Sequence, residues 1–128
     1  MLATYKIIIC ISAIVYFTGF IQASFMPSTF IEPLSADYNN TLMKLTVNYG
    51  FHLLILSAIQ FLAAVWTFQN KVEGVQLGLL IGLGMLVTLV LDFILVNEGI
   101  NYPLLGFGAM IALTSFLLLY NESPIFDE

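Results

Sequence analysis

The sequence predicts an all-α integral membrane protein: an antiparallel, up-down-up-down four-helix bundle with a long first loop and short second and third connections. Three observations predict it. Apolar residues make up 60% of the 128-residue chain and charged residues only 9%. The apolar residues fall into four runs, each close to the ~20 residues that cross a ~30 Å hydrocarbon core as a helix. Two of the links between runs are so short that neighbouring helices must pack antiparallel. A soluble domain carries about 25% charged residues to face water. With a mean hydropathy of +1.00, this chain has too few charges to coat a globule, and lipid or a larger assembly must cover the rest.

The first run spans Tyr5 to Ala23 and opens on Tyr5 and Lys6. It has a lysine, an apolar stretch and a small residue at Ala23, as a signal peptide would, but it is longer than a usual signal core and is expected to be retained as a helix. Ser24 to Thr46 forms the long loop, with Pro27, Pro33, Glu32, Asp37 and the Asn39-Asn40 pair. Its apolar residues Phe25, Met26, Phe30, Ile31 and Leu34 suit a segment lying on the membrane surface or over the bundle mouth. Thr41 to Leu45 can start the second helix ahead of the second run, Val47 to Phe68. Gln69 to Glu73 is a tight hairpin link to the third run, Gly74 to Val96, and Asn97 to Tyr102 is an equally short link to the fourth, Pro103 to Tyr120.

All four runs must be helical, because lipid offers no partner to open backbone groups. A barrel would need segments of about 10 residues alternating polar and apolar, which are absent. Tyr5, Trp66, Tyr102 and Tyr120 sit at run ends, where aromatic rings favour the headgroup zone, and Pro103 suits a first helical turn. No repeat or low-complexity segment interrupts the single domain, 1–128, and the tail from Asn121 to Glu128 is acidic.

Charge excludes several functions. The formal net charge is -5, with no arginine and lysine only at positions 6, 44 and 71. Nucleic-acid binding needs a cationic surface that this chain lacks, and its overall charge does not support attraction to anionic headgroups. Cys10 stands alone, which excludes an internal disulfide and a CxxC redox pair. Four crossings place both termini and the second connection on one side, with Lys6 and Lys71, and leave Lys44 on the other. The lysine bias therefore predicts cytoplasmic termini.

Small residues are expected to hold the bundle together, since lipid removes most hydrophobic drive between helices. Gly74, Gly78 and Gly82 recur every four residues, with Gly84 beside them, and make a flat groove that another backbone can approach. Gly19 with Ala23 and Gly108 with Ala112 repeat the pattern more weakly. Internal packing and docking of a neighbouring subunit both fit this groove.

Polar residues inside membrane runs are costly and mark candidate sites. His52, Gln60, Thr88 and Asp92 lie inside, while Gln22, Asn48, Asn97 and Glu98 lie nearer the edge. His52 is about one turn inside Asn48, and Asp92 about one turn inside Val96. Antiparallel helices bring the two to similar depth, so His52, Asp92, Gln22, Asn48 and Glu98 form a candidate polar mouth. Either Asp92 accepts a hydrogen bond from His52 or stays near headgroup water, and the pair staples two helices, or the mouth binds a headgroup, a small ligand or a proton. A lone histidine with carboxylates lacks the His/Cys cluster of a dedicated metal site. Ser57 and Ser115 have no base near them in sequence, so a nucleophilic triad is not supported. No cofactor is predicted; membrane lipid is the expected bound molecule.

Known small membrane families help by contrast. Small multidrug exporters need a glutamate in the first helix, quinone-linked thiol oxidoreductases need cysteine pairs, glutathione-handling membrane enzymes rely on arginines, and antiporter-type subunits need deep glutamates or lysines; this chain has none of these. The proline-bearing loop from Gln22 to Pro33, the Asn48-Tyr49-Gly50 opening of the second helix, and the glycine-containing turn into a Pro-Leu start between Leu95 and Leu104 together resemble the DoxX-like four-helix membrane proteins. The resemblance covers most of the chain and implies a fold more than an activity. The arginines expected near the second and third helices of that family are missing. The expected function is a non-catalytic accessory subunit that packs through its glycine faces against other transmembrane subunits. The alternative is a small ligand- or lipid-binding protein using the polar mouth.

Overall fold

The computed structural model describes residues 1–25, 40–95 and 102–120. These residues form four helices: α1, Leu2–Phe25; α2, Asn40–Phe68; α3, Val72–Leu95; and α4, Tyr102–Tyr120. Each carries a stretch long and apolar enough to cross a membrane, Val47–Phe68 in the case of α2. Apart from the start of α2, the predicted runs and the helices agree to within about three residues; α2 begins ahead of its apolar run, at Asn40. Much of the first loop, the segment after Leu95 that holds Glu98, and the acidic tail lie outside the described residues.

The chain divides into two compact units. The first, Met1–Ile11 with Gln60–Glu128, contains the start of α1, the end of α2, and all of α3 and α4. All four helices pack against each other there, and their contacts alternate in direction. Tyr5 near the start of α1 reaches Gly74 near the start of α3, and Gly74 lies against Thr67 near the end of α2. Gly82 of α3 meets Ala112 of α4, while Gly108, one turn earlier in α4, meets Met85, later in α3. That crossed order is the antiparallel arrangement expected of short links. The second unit, Ser12–Ile59, pairs the later part of α1 with the earlier part of α2. Here the Ser57 hydroxyl donates to the Ala13 carbonyl at 2.8 Å, and a Cβ on Gly19 would lie 3.2 Å from Leu53 Cδ1.

The link between α2 and α3 ends one helix and starts the next within three residues. Asn70 is left-handed, with φ 60°. Its amide donates to the Thr67 carbonyl at 3.0 Å, and the Lys71 amide donates to the Trp66 carbonyl at 2.9 Å. This pair of bonds is a Schellman C-cap, which satisfies carbonyls that a helix end leaves open. Asparagine tolerates the left-handed region where most side chains clash. At the other short link, Pro103 occupies the first turn of α4, where its missing N–H breaks no helical bond.

The cap generates a prediction. Asn70→Gly should keep or slightly raise thermal stability in detergent, because glycine enters the left-handed region freely. Asn70→Val should destabilise by about 1–2 kcal/mol, the strain of a left-handed residue. Equal melting temperatures for the two variants would show that the cap does not set the turn.

Candidate functional site

In these helices the buried positions are mostly small or hydroxylated, while many large apolar side chains face outward. Tyr5, Gln60, Thr67, Ser12, Ser57 and Ser115 are all fully buried. In the first unit the Tyr5 phenol donates to the Gly74 carbonyl at 2.8 Å, and the Thr67 and Ser115 hydroxyls lie against the phenol oxygen. Those two hydroxyls also donate to carbonyls one turn back on their own helices, Thr67 to Ala63 at 2.7 Å and Ser115 to Ile111 at 2.6 Å. Such back-bonding satisfies a hydroxyl that water cannot reach.

Tyr5 is therefore not the headgroup anchor that its place near a helix start suggests. It lies on the α1 face that also buries Ile9, and the missing side chain of Gly78 makes room for it. A Cβ at Gly78 would collide with the phenol oxygen and lie 2.7 Å from Cζ. Tyr102 and Tyr120 are 73% and 75% exposed, as interfacial rings should be.

The glycine groove of α3 is filled from within the chain. A Cβ at Gly74 would lie 2.5 Å from the Thr67 amide nitrogen and 2.7 Å from the Ala63 carbonyl oxygen. One at Gly82 would lie 2.6 Å from the Ala112 nitrogen. Gly74 and Gly82 thus meet backbone, whereas Gly78 seats an aromatic ring rather than the backbone that its spacing suggests. Gly84 differs: nothing lies within 4 Å of a Cβ placed there, and it faces outward.

The described residues of the candidate polar mouth lie on outward positions. Gln22, Asn48 and His52 are exposed in the second unit. Close approach of Gly50 to Ala23 and Ser24 brings these three toward one end of that unit. Asp92 is exposed in the first unit, and Glu98 lies outside the described residues. Among the described residues, no three of His, Cys, Asp and Glu gather as metal ligands would.

Sequence reasoning noted Gln60 without placing it. It is fully buried, and neither its amide nitrogen nor its carbonyl oxygen has a hydrogen-bond partner among the described residues. The signal was present in α2, where Gly50, Leu53, Ser57, Gln60, Ala64 and Thr67 recur at steps of three or four and are all buried. A stripe of small and polar residues at helical spacing marks an inward face in a membrane helix.

The outward surface has two unusual stretches. Between Leu86 and Leu95 of α3, Asp92 among them, no residue is buried. On the outer face of α1, Ala3, Lys6, Ile7, Cys10 and Ile11 join Phe68 in lining an open groove of about 410 Å³. No protein family, curated protein or solved structure matches the chain. The DoxX-like resemblance thus rests on the segments Gln22 to Pro33, Asn48-Tyr49-Gly50 and Leu95 to Leu104 alone.

The Tyr5–Gly78 contact makes a paired prediction. Tyr5→Phe should lower stability by about 0.6 kcal/mol, typical of a hydrogen bond within a membrane bundle. Gly78→Ala should destabilise more, by about 1–3 kcal/mol, because it overpacks the ring. Tyr5→Ala combined with Gly78→Ala should destabilise less than the two single changes summed, because removing the ring relieves the clash. Additive effects in thermal melts would mean that ring and glycine do not meet.

Proposed function

We propose that this chain is a non-catalytic accessory subunit of a membrane complex, docking through the second half of α3. One observation carries the reading: an outward stripe of Gly84, Thr88 and Asp92 at four-residue spacing, on a helix end with no buried side chain. Its apolar neighbours are open, with Val87 57%, Leu91 49% and Phe93 58% exposed. Gly84 lets a second backbone approach, and the Thr88 hydroxyl, bonded at 2.9 Å to the Gly84 carbonyl, presents little bulk. Close approach of small residues drives helix association in lipid. An ionisable residue within a span marks a site whose partner should supply the matching group. The fitting partner is a transmembrane helix with small residues opposite Gly84 and a hydrogen-bond donor opposite Asp92. The three glycines that first suggested docking do not support it, because the chain's own helices occupy them.

Lys6 lies beside Phe68, and Lys71 follows three residues later, so two of the three lysines share the end where α1 and α3 begin. The lysine bias supports a cytoplasmic position for that end and for both termini.

Two measurements follow. Purified from its native membrane in mild detergent, the wild-type chain should carry a fixed set of partner chains. Gly84→Leu should remove them, Asp92→Leu should weaken the association, and Asp92→Asn should retain most of it, with helicity unchanged throughout. A lone chain in the wild-type preparation, or unaltered partners in the Gly84 variant, would sink the docking face. For orientation, a protease site appended to either terminus should resist protease added outside intact cells and be cut once they are opened. Cleavage from outside would reverse the assignment.

A further inference from the structure

We infer that the α1 groove is a binding site for an anionic glycerophospholipid, with its phosphate at Lys6 and the upper part of one acyl chain along Ile7, Cys10 and Ile11. The inference is independent of the α3 docking face. Ala3, Lys6, Ile7, Cys10 and Ile11 fall at helical spacing on one side of α1, and Phe68 at the end of α2 completes the wall. Ile7 is 59%, Ile11 48% and Phe68 58% exposed, so this chain leaves their apolar surface uncovered. Ala3 and Cys10 are small, which gives the groove its depth.

Dimension and charge select the occupant. From Ala3 to Ile11 the helix rises about 12 Å, starting near the end of a membrane-crossing helix. The groove therefore runs from headgroup level into the acyl region, as a lipid does. Among its described lining residues Lys6 alone is charged, and its ammonium sits 4.9 Å from the centroid of the Phe68 ring. The ring fixes the ammonium at the groove wall, and its donors remain available to a phosphate. A net charge of -5 disfavours diffuse attraction to anionic lipid, so selectivity here must come from this local cation. A zwitterionic lipid would bring its own ammonium close to Lys6 and gain less.

The test uses the full chain in mild detergent, incubated with phosphatidylglycerol or phosphatidylcholine of identical acyl chains and examined by native mass spectrometry. Wild type should retain phosphatidylglycerol in preference. Lys6→Gln should reduce that preference about fivefold, the size of one lysine's attraction to an anionic surface, and Lys6→Arg should restore it. Cys10→Trp should fill the groove and lower retention of both lipids. Lys6 is only half-buried, so its variants should fold whatever becomes of the tryptophan variant. An unchanged lipid ratio in Lys6→Gln would overturn the site, as would full lipid retention by a folded Cys10→Trp protein.

Discussion

The first unit depends on the Tyr5 phenol lying where Gly78 has no side chain. Hydrocarbon offers no partner to a hydroxyl, so a buried tyrosine needs an acceptor, and the Gly74 carbonyl provides one at 2.8 Å. That carbonyl is in position because Gly74 is bare enough for the end of α2 to press against it. The end of α2 is there because Asn70 turns the chain back within three residues. One left-handed residue, two glycines and one phenol thus form a single dependency, and a change at any of them is felt at the others.

Packing in lipid has a different driving force from packing in water. Burying a leucine between membrane helices gains little over leaving it among acyl chains, so close contact of small residues matters more. The structure follows this rule. Gly82 meets the Ala112 backbone, Ser57 bonds across helices to Ala13, and large residues such as Leu80, 68% exposed, face outward. Ser12 and Gln60 run against it, since both are buried without a hydrogen-bond partner among the described residues. An unpaired buried amide is unfavourable, so Gln60 is a local weakness in the interior.

The number, extent and order of the helices were legible in the sequence because bilayer thickness sets a length that apolar runs must match. Their inward faces were harder to read. The helices are apolar nearly all round, so the usual contrast between a wet and a dry face is missing. Tyr5 shows the consequence: a tyrosine one turn into a membrane helix looks the same in sequence whether it anchors at the headgroups or turns inward. The four-residue glycine spacing points to a close approach, but spacing cannot distinguish a backbone, as at Gly82, from a ring, as at Gly78. The candidate mouth was drawn from depth alone, and depth does not fix the side of the helix on which His52 or Asp92 stands.

Magnitudes decide how the proposed protein and lipid contacts would divide the outer surface. A carboxylate at mid-bilayer is disfavoured by about 2.5–3.5 kcal/mol. Asp92 is three residues from the end of α3, only about 5 Å along the axis, where headgroup water lowers that penalty. Relief of the Asp92 charge is thus a small gain for an incoming helix. The larger gain is the approach that Gly84 permits, because dispersion contacts, each only about 0.1–0.2 kcal/mol, add up along a whole backbone. On the proposed α3 docking face Gly84 would therefore supply the affinity, and Asp92 would fix register and partner choice. On α1 the order is reversed. Ile7, Cys10 and Ile11 offer any acyl chain much the same contact, so the apolar groove holds lipid without choosing among headgroups. Among the described lining residues Lys6 alone carries a charge that could make that choice, so in the proposed site one ammonium would decide the class of lipid in a chain whose overall charge is negative.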